Sequence, residues 1–350
     1  MAWEGGGGAS SPGGSARNGF GRARNGGGPS MRIGRDDGTL DRSDGGAGSR
    51  ERKASELMGG ECSRGGAVCL RFPSPFFEEE GVCPPEQRRM VEGSKGALDS
   101  LGPMTFPPPF RPARIVRTTV WTESLRSVVL DVEPARFVPG QFFQLGFSVG
   151  EKWIRRSYSA ASAPGAPAEF FLSLVPGGEL TPNLFKLGVG DELGFDEAAL
   201  GFFTLGEVPE CRTLWLVSTG TGLGPYISML REENELRRFE RVIVVHGART
   251  KSEHAYSEEL NALCARDPRF SYVQVTSREL NESGLSGRVT TVLASGELEG
   301  RVGEELGEQS HALICGNPQM IEEMVAALRA RGLRKHRRRE PGHFNFEKYW

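Results

Sequence analysis

The pattern of hydrophobic and polar positions divides the chain near residue 104. Before it, apolar residues are scattered with neither strand nor helix periodicity. From Arg114 onward short β-type runs follow one another at 115–121, 126–132, 141–147 and 169–175. Turn signals separate them at Pro139-Gly140, Pro164-Gly165 and Pro176-Gly177-Gly178. Short strands punctuated in this way predict a small antiparallel barrel. Residues 181–187 read as a short helix with Thr181 at the N-cap and Pro182 at N1.

After about residue 209 the pattern changes. Apolar runs at 213–218, 241–247, 270–276 and 312–316 read as buried strands, and 226–230, 257–265 and 319–330 as helices. Strands alternating with helices predict a doubly wound parallel sheet. The expected organisation is an extension over 1–103, an antiparallel β-barrel over 104–208 and an α/β domain over 209–350.

Composition matters most for the extension, which is rich in Gly, Arg, Ser, Asp and Glu. Such a segment buries too little apolar surface to offset its ordering entropy, so disorder is expected. Three accounts of it stay open beside that of a solvated tail. Arg17, Arg22, Arg24 and Arg32 among Gly and Ser suit a targeting leader, but Glu4, Asp36, Asp37 and Asp41 argue against one. A Gly/Arg tail could contact RNA, although its aromatic residues are sparse. The segment could also lie upstream of a true start at Met104.

Net charge is −2, which favours neither nucleic acid nor membrane. No apolar run reaches bilayer-spanning length, and no secretory signal is visible. The six cysteines form no C-x-x-C pair and no zinc spacing, so free thiols in a reducing cytoplasm are expected.

Candidate chemistry sits in both halves. In Arg155-Arg156-Ser157-Tyr158-Ser159, strand alternation puts Arg156 and Tyr158 on one face. An arginine fork suits a pyrophosphate and a ring suits a flat heterocycle, while an edge strand with solvated arginines is the plain alternative. Gly177-Gly178-Glu179-Leu180-Thr181 before a helix is either an anion site or a simple loop. In a parallel sheet ligands lie beyond the C-terminal strand ends. Thr219-Gly220-Thr221-Gly222, His246-Gly247-Ala248-Arg249, Ser277-Arg278-Glu279 and Cys315-Gly316-Asn317-Pro318 all fall there. The glycine loop is G-x-G-x-G-P and not the dinucleotide fingerprint. Arg249 follows the second strand, where an NAD site usually has an acid, Arg278 ends the third strand and Arg288 lies a little further on. Arginines at this rim suit a 2′-phosphate, and surface arginines with no ligand are the plain alternative. Two charge-assisted bonds of roughly 1.5–3 kcal/mol each would favour NADP(H) about a hundredfold to ten-thousandfold. The aromatic pair Tyr349-Trp350 reads as docked on a flat ligand or packed on its own domain. The basic run 334–339 reads as a solvated face or a lure for an acidic carrier protein.

Taken in order, Pro139-Gly140-Gln141-Phe142, Arg156-Ser157-Tyr158-Ser159, the Gly-Gly-x-Leu-Thr-Pro loop at 177–182 and Gly201-Phe202-Phe203 form one set of motifs. Thr219-Gly220-Thr221-Gly222-Leu223-Gly224-Pro225, Ser277-Arg278-Glu279, Cys315-Gly316-Asn317-Pro318-Gln319-Met320 and Tyr349-Trp350 form the next. Over 104–350 the chain resembles the bacterial ferredoxin (flavodoxin)–NADP⁺ reductases of the plant-type superfamily. The resemblance implies an FAD-binding barrel followed by an NADP-binding α/β domain. It implies that Arg156 holds the FAD pyrophosphate, that Tyr158 packs on the flavin and that Ser159 lies near its N5. Ser157, Leu172, Leu174, Gly178, Glu179, Leu180, Thr181, Thr221, Tyr349 and Trp350 are implied to complete the FAD site. Thr219, Gly220, Gly222, Arg249, Ser277, Arg278, Arg288, Gly316, Asn317, Pro318 and Met320 are implied for NADP(H). Ser159, Tyr158, Cys315 and Trp350 are the implied catalytic groups, with Cys315 beside the nicotinamide and Trp350 moving in turnover. Ferredoxin or flavodoxin is the implied partner of a monomeric enzyme, because the folded part has no iron–sulfur cysteine set. One departure is Ile321-Glu322-Glu323 after Met320, where the family often carries a basic residue. The competing readings are another flavin-linked reductase, such as an oxygenase component, and a non-catalytic dinucleotide sensor.

Overall fold

The computed structural model describes residues 106–349 apart from Ala135; the extension over 1–103, Met104 and Trp350 lie outside the described residues. The first half holds β1 (Arg111–Thr122), β2 (Leu125–Leu130), β3 (Phe142–Val149), β4 (Lys152–Ser159), β5 (Glu169–Ser173), α1 (Thr181–Leu184) and β6 (Glu192–Leu200). These strands form one antiparallel sheet in the order β4-β3-β6-β1-β2-β5. A bridge between Ala160 and Phe170 brings the two edge strands together, which curls the sheet into the expected barrel. Phe143, Leu145, Phe170, Leu172 and Phe195 fill it.

Strand β6 was not legible as a run because Glu, Asp, Gly and Ala dominate it; its pairing with β1 and β3 on either side imposes the strand. The Trp153 ring lies over β3 and β6, edge-on to Phe106 and Phe110. A Cβ on Gly194 would lie 2.5 Å from that ring, so the indole requires glycine beneath it. The cap of α1 also differs from expectation. Leu180 is the N-cap residue, and Thr181 begins the helix. The Thr181 hydroxyl accepts from Val175 N at 3.0 Å, closing the glycine loop instead of capping the helix.

The second half holds β7 (Thr213–Thr219), α2 (Gly224–Arg231), β8 (Arg241–Ala248), α3 (Ser257–Arg266) and β9 (Phe270–Thr276). It continues with β10 (Leu285–Ser286), α4 (Val289–Ala294), α5 (Glu297–Val302), β11 (Ser310–Gly316), α6 (Pro318–Ala330) and β12 (Phe344–Lys348). The sheet is parallel throughout, in the order β10-β9-β8-β7-β11-β12. Leu214, Trp215, Leu216 and Val217 of β7 are completely buried, as a strand covered on both faces requires. Strand order reverses between β7 and β11, which opens a crevice at their C-terminal ends. The segment leading to Tyr349 is a strand of this sheet, so its backbone packs on its own domain.

A polar seam joins the two halves. Tyr256 donates to Glu169 Oε1 at 2.8 Å and pairs with the Ser127 hydroxyl at 2.5 Å. Arg231 bonds Glu169 at 2.8 Å and also grips Glu259. Trp121 packs on Tyr256 with ring centres 4.9 Å apart and donates to Ser127 at 2.9 Å.

Candidate functional site

Glycines at the strand ends let two loops approach each other closely. A Cβ on Gly222 would lie 2.5 Å from the Cys315 carbonyl oxygen, and one on Gly316 would lie 2.6 Å from the Thr219 carbonyl oxygen. Gly316 has φ 130, which favours glycine independently. Thr219 Oγ1 then accepts from Asn317 N at 3.0 Å. Asn317 caps α6 by accepting from Gln319 N at 2.8 Å and Met320 N at 3.2 Å, and Pro318 needs no partner in the first turn.

Beyond these ends lies a cavity of about 510 Å³. Its walls include Leu174 from the barrel, Thr219, Gly220 and Thr221 from the glycine loop, and Gly316, Asn317, Met320 and Tyr349. Arg249, Ser277, Arg278 and Arg288 form its basic rim. The four loop segments singled out from sequence therefore converge. Arg249 is held by Glu253, whose carboxylate accepts from both its backbone N and its guanidinium. Arg288 lies 4.0 Å from Glu323, which accepts from Thr290 at 2.8 Å and Gln319 at 2.9 Å. Of the departure after Met320, Glu322 is taken up by Lys348 at 2.7 Å. Gly222 and Pro318 are not part of the cavity lining: Gly222 packs against the Cys315 backbone and Pro318 begins α6.

On the barrel, Arg156 and Tyr158 share a face of β4 opposite Leu145 and Phe143. Arg156 bonds Glu179 at 3.0 Å, so the strand and the glycine loop present one exposed charged pair. Burial pushes the Tyr158 hydroxyl up to about 12, against the opposing charge of Arg156, and the ring stays neutral. Ser157 is exposed and Gly178 half-buried. Leu172 and Leu180 point into the barrel core.

The two halves meet at Ser159. Tyr349 donates to its hydroxyl at 2.9 Å, and that hydroxyl donates to Glu347 Oε1 at 3.5 Å. Burial lifts the Glu347 carboxyl from 4.5 to about 7, with the Ser159 bond opposing the rise. Cys315 is fully buried beneath Tyr349, and burial raises its thiol well above the ordinary value. The resemblance implied a place for Cys315 beside the nicotinamide, and in the structure Tyr349 lies against it. Glu347 was given no role from sequence. The available signal was its spacing of two from Tyr349, which puts both on one face of an extended chain.

Residues 216–326 match the oxidoreductase NAD-binding domain family. With a barrel ahead of that domain and a cleft shared between them, the fold and site define a two-domain, flavin-linked nicotinamide nucleotide oxidoreductase. The flavodoxin/ferredoxin–NADP reductase of Escherichia coli (strain K12) is 38% identical over 241 residues, covering 68% of this chain and 97% of that protein. That of Buchnera aphidicola (subsp. Baizongia pistaciae) is 35% identical over 68% of this chain and 98% of its own length. The crystal structure of a ferredoxin NADP⁺ reductase from Neisseria gonorrhoeae, with bound FAD and NADP, superposes with a TM-score of 0.65 at 32% identity. It covers 68% of this chain and 98% of its own. The chain belongs to the flavodoxin/ferredoxin–NADP reductase family.

Proposed function

We propose that this protein passes electrons between NADP(H) and a ferredoxin or flavodoxin through bound FAD. The observation that carries this reading is the meeting of Ser159, Tyr349 and Glu347 where the barrel and the parallel sheet join, with an arginine-rimmed cavity alongside. The residues fit both cofactors. The glycine loop leaves Gly220 facing open space, with nothing within 4 Å of where a Cβ would be, so a phosphate can approach the backbone. FAD, when bound, takes up electrons in pairs from the nicotinamide and releases them singly.

The protein supplies placement, charge and a dry site. Arg156 clamps the FAD pyrophosphate, held ready by Glu179, and the neutral Tyr158 ring packs against the flavin. Ser159 offers its hydroxyl at the reacting edge. Ser277, Arg278, Arg249 and Arg288 take the 2′-phosphate of NADP(H). Tyr349 shields Cys315 and moves aside to admit the nicotinamide, as Trp350 was also expected to do. Glu347, near half protonation at neutral pH, holds a proton on its carboxyl within one hydroxyl of the site.

The acidic carrier docks by charge against the run 334–339. There Arg338 pairs with Glu207 at 2.6 Å and lies over Phe202, itself 71% exposed. Among the described residues no helix is long and apolar enough to cross a membrane. Among the described residues Cys211, Cys264 and Cys315 are free thiols, which suits a reducing compartment such as the cytoplasm.

Anaerobic spectra of the purified chain test the proposal. Its flavin bleaches with NADPH and far more slowly with NADH, and a ferredoxin or flavodoxin restores the colour. A chain that holds no flavin when supplied with FAD would overturn the reading.

A further inference from the structure

Two histidines behind the nucleotide cavity belong to none of the chemistry above. His246, on β8, is completely buried, and His254, just before α3, is nearly so. Their rings stand edge to face with centres 5.1 Å apart and Nδ1 atoms 3.4 Å apart. His246 Nε2 lies 3.1 Å from the carbonyl oxygen of Gly220, in the glycine loop. His254 Nε2 lies 2.9 Å from Thr276 Oγ1, and that hydroxyl lies 2.9 Å from Asn281 Nδ2. Asn281 organises the loop between β9 and α4: its Oδ1 accepts from Gly284 N at 3.1 Å and Ser283 Oγ at 3.0 Å, and its backbone N donates to Ser286 Oγ at 2.9 Å.

Backbone groups at the two ends, with both rings neutral, fix the direction of every bond. The Gly284 N–H binds Oδ1 of Asn281, so the amide nitrogen faces Thr276 and donates to it. At the other end the Gly220 carbonyl can only accept, so His246 carries its proton on Nε2. A neutral His246 then has a bare Nδ1, which must accept from a proton on His254 Nδ1. His254 Nε2 is in turn bare and accepts from the Thr276 hydroxyl. Burial holds both rings neutral, lowering His246 to about 3 and His254 to about 4. The result is one polarised chain, Asn281 to Thr276 to His254 to His246 to Gly220. It runs behind the cavity from the loop bearing Ser277, Arg278 and Arg288 to the loop bearing Gly220, and these four line the same cavity.

We propose that His254 is a positioning residue whose imidazole couples the 2′-phosphate loop to the glycine loop, so that seating the phosphate on one orders the other. The inference rests on the nucleotide reading of the cleft but uses only this chain's own residues. An apolar side chain at 254 would fill the space and lose the coupling. It would also leave His246 Nδ1 and Thr276 Oγ1 without these partners.

The test is imidazole ¹⁵N spectroscopy on the full chain, which has five histidines to assign. At neutral pH the expected forms are Nε2–H for His246 and Nδ1–H for His254. The opposite tautomer at either ring, or an imidazolium, overturns the chain of bonds. Titration with 2′-phospho-AMP, which carries no nicotinamide, should shift the His246 Nε2–H resonance. In His254→Leu that shift falls about fivefold or more while 2′-phospho-AMP still binds and FAD content is unchanged. Thr276→Val cuts the same chain one bond away at nearly constant volume, and should give the same loss should the first variant fold poorly. In both variants KM for NADPH rises about fivefold with kcat little changed. A full shift retained in either folded variant overturns the coupling. Failure of 2′-phospho-AMP to bind the unaltered protein overturns the cleft assignment and the coupling with it, while the tautomers are judged separately.

Discussion

On the barrel, Arg156, Tyr158 and Ser159 come from one stretch of one strand, β4, and their directions follow from strand alternation. On the parallel sheet, the corresponding groups come from four loops far apart in sequence, and their directions depend on strand order. The first arrangement places side chains cheaply but leaves Arg156 exposed and held by a surface ion pair, with Tyr158 half-buried and Ser159 buried. The second needs glycines packed against backbone, a capping asparagine and buried histidines, and in exchange brings Arg249, Ser277, Arg278 and Arg288 to one cavity. Side-chain changes should therefore act locally on the barrel, whereas changes on the sheet should spread between loops.

The largest expected effect is on the barrel. Arg156→Ala loses two charge-assisted bonds at roughly 1.5–3 kcal/mol each, weakening FAD about a hundredfold to ten-thousandfold. Gel filtration should then strip the flavin while 2′-phospho-AMP still binds; retention of FAD would break the contrast.

Next is Glu347, at the meeting of the halves. Its carboxyl ionises near 4.5 when unfolded and near 7 when folded, raised by burial. The unfolded chain therefore releases its proton first as pH rises. The stabilising contribution is complete below pH 4.5 and lost progressively up to about pH 7. A displacement of this size corresponds to roughly 3 kcal/mol. Glu347→Gln should flatten that slope in urea unfolding measured across the interval; an unchanged slope would mean the carboxyl is not held protonated.

Arg278→Ala removes one rim donor and should raise KM for NADPH about tenfold to hundredfold, with NADH oxidation little altered. Equal losses with both nucleotides would show that Arg278 does not read the 2′-phosphate. Smallest is Tyr256→Phe in the seam, which forfeits bonds to Glu169 and Ser127 and should cost about 1–3 kcal/mol in chemical unfolding.

The contrast also accounts for what could be read in advance. The four central strands of the parallel sheet announced themselves because burial on both faces demands uninterrupted apolar runs, as in β7, whereas the edge strands β10 and β12 were not read from sequence. Short motifs at their ends were legible because glycine and Asn-Pro carry local geometric reasons of their own. Strand β6 was not, because pairing on both sides imposes it on a sequence poor in β-formers. The Thr181 hydroxyl was assigned to a cap because its actual partner, Val175 N, lies across a loop. Glu347 was passed over for a similar reason: its spacing of two from Tyr349 was the one local signal, and its significance comes from the distant Ser159. His254 was given no role from sequence, because its partner His246 is set against it only by the fold.

The three described tryptophans have an optical consequence. Trp153 covers the barrel, Trp215 is buried in the parallel sheet and Trp121 stacks at the seam. Each region thus carries its own intrinsic fluorophore. Flavins absorb where indole emits, so a bound flavin would quench all three by energy transfer to different extents. With Trp3, Trp350 and two of these three indoles replaced by phenylalanine at a time, emission would follow each half of the molecule and the seam between them separately. Loss of flavin, opening of the seam and melting of either sheet would become distinguishable events in one cuvette.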